Sequence, residues 1–372
     1  MKFSCNRETF LAAYQTAAAF APTKSARAIL ANVKLDLLPD GRTGVLSATD
    51  TELGIRVTIE DLQIAAAGSC VLPTSRFGLV LRESSDDTLQ IEADGTYLVV
   101  RGERSLIKLP AHNPDEFPAV PSGQSGYQIA LEAATLRSVI HRTVFATDVE
   151  SSRFALGGVL IDLQDGDGMV AVGTDGRRLA KVACPVRLDA DGTVPQGTII
   201  PARSLHLIER ALGDESGEVV LAITSSSVVV QTATRTIYSR LVEGRFPAWR
   251  GVVPNLENAQ SVSLLVGPFY AALRQAAIVT DKESKGIQFA FAPGSLVMSG
   301  QTADVGNSRV ELPIAFDSDE TKLTLDHRFL ADFLRVLEPT DSFTLYFTGP
   351  DMPAVLSTAD GYDYVVMPLS KD

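Results

Sequence analysis

Few residues in this chain have the type and spacing to do chemistry. The 372 residues include three cysteines, Cys5, Cys70 and Cys184, and four histidines. The cysteines are widely spaced, form no CxxC pair, and read as small buried hydrophobes in a reducing compartment. The histidines stand apart from one another and from the cysteines, which leaves no zinc set. Asp162, Asp165 and Asp167 in DLQDGDGMV have the look of calcium-loop carboxylates, but the twelfth position counted from Asp165 is Gly176 rather than glutamate. A hairpin turn is the expectation there. No GxxxxGKS/T phosphate loop, GxSxG elbow or HExxH pair occurs. The expectation is therefore a protein without catalysis of its own, and with neither cofactor nor metal.

The elements that would position any site are written three times. Anchors seven residues apart open matching strand-then-helix segments at Phe3 and Phe10, Ile129 and Leu136, and Val262 and Phe269. A second set follows about 70 residues later: VLPTSRFGLVL from Val71, IIPARSLHLIERAL from Ile199 and LTLDHRFLADFLRVL from Leu323. Aligning Phe77, Leu205 and Phe329 gives offsets of 128 and 124, against 126 and 133 for the first set. Such a period is far longer than a solenoid repeat and implies three copies of one domain. Proline-rich joints near 117–126 and 246–258 place the boundaries at 1–121, 122–250 and 251–372.

Each copy reads as two helices among many short strands, an α+β domain with the helices packed on antiparallel sheets. In the first, Arg7–Phe20 and Thr74–Ser84 are the helices. ANVKLDLL and GIRVTIEDLQIAA read as strands with a turn at Asp40-Gly41, and Asp94-Gly95 turns a hairpin. The opening LAAYQTAAAFA mimics a secretory signal, yet polar residues interrupt it and the other copies repeat it, so a structural helix is expected. No apolar run reaches the roughly 18 residues of a membrane span, and a cytoplasmic location is expected.

The formal charge of −12 argues against nucleic acid as a partner until its distribution is counted. The six expected helices (7–20, 74–84, 131–143, 202–212, 267–282, 326–338) hold eleven basic and eight acidic residues, or +3, which leaves −15 elsewhere. His141, His206 and His327 lie on them too. The helical layer is the one part that an anionic polymer would approach, although arginine is also simply a good helix former.

Four segments, GTDGRRLA at 173–180, SRLVEGRFPAWRGVVP at 239–254, IVTDKESKGIQF at 278–289 and YVVMPL at 364–369, resemble the bacterial DNA polymerase III beta subunit, or sliding clamp, family. MKF at the start and RAILANVKL at 27–35 match as well, so the resemblance covers essentially the whole chain. It implies a head-to-tail homodimer in which six similar domains close into a ring, helices lining the hole and sheets outside. It implies sequence-independent binding of double-stranded DNA, nucleoid association, and partners that include the replicative polymerase, repair proteins and an ATP-dependent clamp loader.

The residues that match the family's DNA contacts are Lys24, Arg27, Arg76, Arg153 and Arg203. The stretch 149–154 reads VESSRF, where Glu150 would oppose DNA. Those that match its partner-peptide pocket are Leu156, Thr174, Gly176, Arg178, Leu179, Pro247, Val252, Phe329, Met352, Val365, Met367, Pro368 and Leu369. Leu179, Pro247, Val365 and Met367 would form an apolar floor, and Arg178 would hold a peptide carbonyl or carboxylate. Ring closure would use Leu106 and Ile107 against Ile278 and Val279, residues that suit an internal core equally well. Arg177 departs from the family's small residue or histidine, and Ser370 from its basic residue. A peptide-binding scaffold that does not encircle DNA, and an enzyme with a site assembled between domains, are the competing readings.

Overall fold

Alternating apolar residues followed by a capping side chain open the chain. In KFSCN, Phe3 and Cys5 are buried, and the Asn6 carboxamide oxygen then accepts the Thr9 N–H at 3.0 Å to start a helix. The structure, a computed structural model, describes residues 1–123, 125–148, 150, 154–163, 168–188, 197–213, 215–281 and 285–369. The first repeat runs β1 (Lys2–Asn6), α1 (Arg7–Ala18), β2 (Asn32–Leu37), β3 (Gly44–Thr49), β4 (Leu53–Ile59), β5 (Gln63–Ala66), β6 (Gly68–Pro73), α2 (Thr74–Glu83), β7 (Thr88–Ala93), β8 (Tyr97–Arg101) and β9 (Leu106–Pro110). The second runs β10 (Tyr127–Glu132), α3 (Ala133–Thr143), β11 (Gly158–Leu163), β12 (Gly168–Thr174), β13 (Arg178–Pro185), β14 (Arg187–Leu188), β15 (Thr198–Pro201), α4 (Ala202–Leu212), β16 (Glu218–Ile223), β17 (Ser227–Gln231) and β18 (Arg235–Arg240). The third runs β19 (Gln260–Leu265), α5 (Val266–Ala276), β20 (Gly286–Ala292), β21 (Ser295–Thr302), β22 (Gly306–Pro313), β23 (Thr321–Asp326), α6 (His327–Arg335), β24 (Ser342–Phe347), β25 (Ala354–Ser357) and β26 (Tyr362–Val366). Apart from the short β5 and β14, which have no third counterpart among the described residues, the order is the same three times.

By its contacts the chain divides into two units, and the middle repeat contributes to both. In the first unit (1–136, 186–195, 203–241) one sheet has the order β5-β1-β7-β8-β9 and another the order β14-β10-β16-β17-β18-β4-β3-β2-β6. The pairing of β4 with β18, from Leu53 opposite Ser239 to Val57 opposite Arg235, carries the larger sheet from the first repeat into the second. In the second unit (137–185, 196–202, 242–372) the sheets are β15-β11-β12-β13-β26-β25-β24-β19 and β22-β21-β20-β23. There β13 pairs with β26, from Arg178 opposite Val366 to Val182 opposite Tyr362. At these junctions β4, β18, β13 and β26 are covered by the neighbouring repeat, while β9 and β22 are among the strands that remain at the edges of their sheets.

Aromatic contacts hold helices to one another and to the sheets. Phe10 and Tyr14 of α1 meet Phe77 of α2 edge-on, at 6.2 and 5.1 Å between ring centres. In the third repeat Phe269 of α5 and Phe333 of α6 both meet Phe343 of β24 edge-on, at 5.4 and 5.5 Å. Burial pushes the Cys5 and Cys70 thiols up to about 12 and that of half-buried Cys184 to about 11, which keeps them protonated and inert.

Three expectations need correction. Phe329 is not the third core anchor; Leu330, the fourth residue of α6 as Phe77 is of α2 and Leu205 of α4, is buried instead. The Asp326 side chain caps α6 at Arg328 N and so fixes the frame one residue later. The run GIRVTIEDLQIAA is two strands, because Asp61 adopts a left-handed conformation (φ 60°) between β4 and β5. Helix α5 stops at Ala276, whose carbonyl accepts the Ser308 hydroxyl at 2.7 Å, and Ala277–Val279 continue as a single 3-10 turn. The helices are shorter than expected mainly at acidic ends. They carry ten arginines and four carboxylates, so their sum is +6 and the remainder −18.

Candidate functional site

An Asp-Gly turn between β12 and β13 organises the site. Asp175 Oδ1 accepts the N–H groups of Arg177 (2.9 Å) and Arg178 (3.0 Å), while Thr174 Oγ1 accepts Gly176 N–H and donates to Arg178 O at 2.6 Å. Gly176 has φ +88°, a conformation that side chains resist. The first repeat makes the same turn 125 residues earlier. Asp50 Oδ1 accepts Glu52 and Leu53 N–H, and Thr49 Oγ1 accepts Thr51 N–H and donates to Leu53 O. There the residue with positive φ is Thr51, at 83°. A β-branched residue in this region is strained by about 1–2 kcal/mol. Thr51→Gly is therefore expected to stabilise the first unit by about 1 kcal/mol after the extra chain entropy of glycine, seen as a rise in Tm. A fall in Tm would show that the threonine side chain offsets its own strain.

Arg178 fills the turn. Its Nε donates to Asp175 Oδ2 at 3.0 Å, Nη1 to Asp332 Oδ2 at 2.5 Å and to the Tyr364 hydroxyl at 3.3 Å, and Nη2 to Phe145 O at 2.9 Å. The guanidinium lies 4.7 Å from the Phe329 ring centre and 5.4 Å from that of Phe145. Burial alone would lower its pKa, but Tyr364, Asp332 and Asp175 together raise it. The expectation that Arg178 holds a peptide carbonyl or carboxylate therefore meets a group already committed to internal partners. It is a strut beneath the turn.

Against this strut lies an apolar cavity of about 130 Å³. Its lining includes nine of the thirteen residues singled out from the sequence: Leu156, Thr174, Gly176, Arg178, Leu179, Pro247, Val252, Val365 and Met367. Leu156, Leu179 and Val365 are buried and make the floor; Val252 and Met367, each about 40% exposed, and exposed Pro247 make the rim. The volume is close to that of a cavity of ~150 Å³ that admits one benzene-sized group. Of the other four residues, Phe329 lines a separate polar cavity, Met352 is half exposed in the β24–β25 connection, and Pro368 and Leu369 follow β26. Leu369 N–H is held by Thr324 O at 2.8 Å.

Two lining residues were not among those singled out. Trp249, the one tryptophan of the sequence, is 8% exposed, belongs to the cluster beneath the cavity with Phe246 and Val355, and is covered by the Arg250 guanidinium at 4.6 Å. It sits in the FPAWRG joint, where no periodicity assigns it a face. Arg177 lines both the apolar cavity and the polar one, which is about 690 Å³ and also takes in Asp148, His327, Arg328, Phe329, Asp332 and Arg335.

The DNA candidates are surface cations. Lys24 and Arg27 are exposed before β2, and Arg76 is exposed in the first turn of α2; none has an acidic partner within ion-pair distance among the described residues. Arg203, in the first turn of α4, pairs with Asp50 at 2.6 Å. Arg153 lies outside the described residues. Of the edge candidates, Leu106 on β9 is 59% exposed and Ile278 74%, while Ile107 and Val279 are half-buried, so neither pair forms an internal core. Leu163 of β11 pairs with Met169 of β12, and the turn expected between them, at residues 164–167, lies outside the described residues. No three metal-ligating side chains converge among the described residues.

Three copies of one α+β domain, joined by shared sheets and carrying an apolar cavity beside the second junction, define a clamp-type scaffold. The sequence matches the DNA polymerase III beta subunit in all three of its parts: the N-terminal domain over residues 1–121, the central domain over 130–248 and the C-terminal domain over 250–370. The chain belongs to that family. It is 26% identical to the beta sliding clamp of Treponema pallidum over 382 residues, covering 100% of both chains, and 26% identical to that of Pseudomonas putida over 375, covering 99% and 100%. In fold it is similar to the DNA polymerase III subunit beta of Pseudomonas aeruginosa (TM-score 0.91, 24% identity) and the sliding clamp of Bacillus subtilis (TM-score 0.92, 21% identity), each covered in full.

Proposed function

We infer that this protein is a DNA sliding clamp, a non-catalytic subunit that encircles duplex DNA and tethers the replicative polymerase and other replication and repair proteins. The observation that carries this is the charge split, +6 on the helices of a chain whose total is −12. A modest cationic lining holds phosphates without reading bases, and acidic surroundings repel DNA that is not threaded. Persistence then comes from topology, and weak contacts permit sliding. Lys24, Arg27, Arg76, Arg153 and Arg203 are the DNA contacts of this reading. Two copies join head to tail, Leu106 and Ile107 on the β9 edge of one against Ile278 and Val279 in the 3-10 turn after α5 of the other, and an ATP-dependent loader opens the ring. The domains run 1–121, 122–250 and 251–372, and the apolar cavity takes the apolar anchor of an extended partner peptide. The protein works in the cytoplasm at the nucleoid; no described helix is long and apolar enough to cross a membrane.

The test is retention on DNA. Loaded onto a nicked circle, the clamp is expected to stay through gel filtration and to be lost when the circle is cut to a linear molecule. Equal loss from both forms, or a strict monomer by light scattering at micromolar concentration, would reject encirclement.

A further inference from the structure

The two Asp-centred turns differ in what the residue after the positive-φ position does. In the first repeat that residue is Glu52, and its carboxylate is taken up by Arg240 at 3.2 Å across the β4–β18 junction. In the second repeat it is Arg177. Its backbone is held on both sides, N–H to Asp175 Oδ1 at 2.9 Å and carbonyl from Met367 N–H at 3.0 Å. Its exposed guanidinium has no partner among the described residues. The loop fixes where the charge stands and gives it no internal task.

The carboxylates nearest the turn are engaged by other cations. Asp175 and Asp332 are neutralised by Arg178 at 3.0 and 2.5 Å, and Asp332 also by Arg335 at 2.9 Å. Asp326 binds Arg328 at 2.6 Å. Among the described residues, Asp148 is the one carboxylate lining the polar cavity without such a cation, and its Oδ1 accepts Glu150 N–H at 3.1 Å. Arg177 borders the apolar cavity on one side and this polar one on the other. A chain that seats an apolar side chain in the first and runs on toward the second passes Arg177.

We propose that Arg177 selects partner peptides that carry an acidic side chain next to their apolar anchor. This rests on the apolar cavity being the peptide site, and the experiment separates the two claims. Capped decapeptides with one Leu-Leu anchor carry Asp, Asn or Lys at each position within three residues of it, and affinities are read by fluorescence anisotropy. At its best position the Asp peptide is expected to bind about fivefold more tightly than its Asn twin, as an exposed charge-assisted pair would give, and less so at high salt. That ratio falls to about one in Arg177→Ala, inverts in favour of Lys in Arg177→Glu, and survives in Arg177→Lys. An Asp-to-Asn ratio in Arg177→Ala equal to that of the unaltered protein would overturn the proposal. If the Asn peptide binds Met367→Ala as well as the unaltered protein, the cavity assignment itself fails, and the proposal with it.

Discussion

Arg178→Ala is expected to lower the stability of the second unit by about 3 kcal/mol, the low end of what removing one partner from a buried ion pair costs. The side chain is 10% exposed, and its loss strips Asp175 Oδ2 and the Phe145 carbonyl of their donors. Asp332 keeps Arg335 and Tyr364 keeps Phe329 O at 3.0 Å, which is why the low end applies. The rings of Phe145 and Phe329 also lose a stacked cation. For a unit of roughly 190 residues this corresponds to a fall of about 6–12 °C in the transition that reports the second unit. Arg178→Lys is expected to recover less than half, since one ammonium cannot reach Asp175, Asp332 and Phe145 O from a single position. A fall under about 1 °C in Arg178→Ala would mean that desolvation cancels the whole network.

How far the sequence disclosed this site depends on how local each signal is. The repeat was visible because its anchors, Phe3 and Phe10 or Ile129 and Leu136, are core positions whose spacing follows strand and helix periods. The Asp-Gly turns were visible because the residues that make them are neighbours. Arg178 was legible as important but not in its role, because Asp332 and Tyr364 stand 154 and 186 residues away and nothing local forecasts that most of its donors turn inward. Phe329 and Leu330 are adjacent apolar residues at a helix start, and only the Asp326 cap decides which one enters the core. The cavity's apolar residues came from the resemblance; their convergence needs β13 and β26 to pair, which periodicity does not encode. Trp249 stayed hidden because a tryptophan in a proline-rich joint has no periodic frame to assign it a face.

Trp249→Ala should act on both stability and binding, and the two effects can be read apart. The ring is 8% exposed and packs in the cluster that includes Leu179, Val355 and Val365, so its truncation leaves a hole that a proline-flanked 3-10 turn closes poorly. The expected destabilisation is about 3 kcal/mol, by comparison with other buried large-to-small changes. Arg250, whose guanidinium covers the ring, keeps Asp162 at 2.7 Å, so the loss is one of packing and not of the ion pair. Because the same ring forms a wall of the apolar cavity, peptide affinity should drop by at least about tenfold, as it does when an aromatic anchor is lost from a buried contact. Trp249→Phe retains most of the packing and should lose no more than about threefold in affinity. In the unaltered protein this lone indole is its own reporter, and an apolar peptide entering the cavity should shift its emission to the blue. Affinity within twofold of the unaltered protein in Trp249→Ala, together with unchanged emission on adding peptide, would place the partner site elsewhere on the chain.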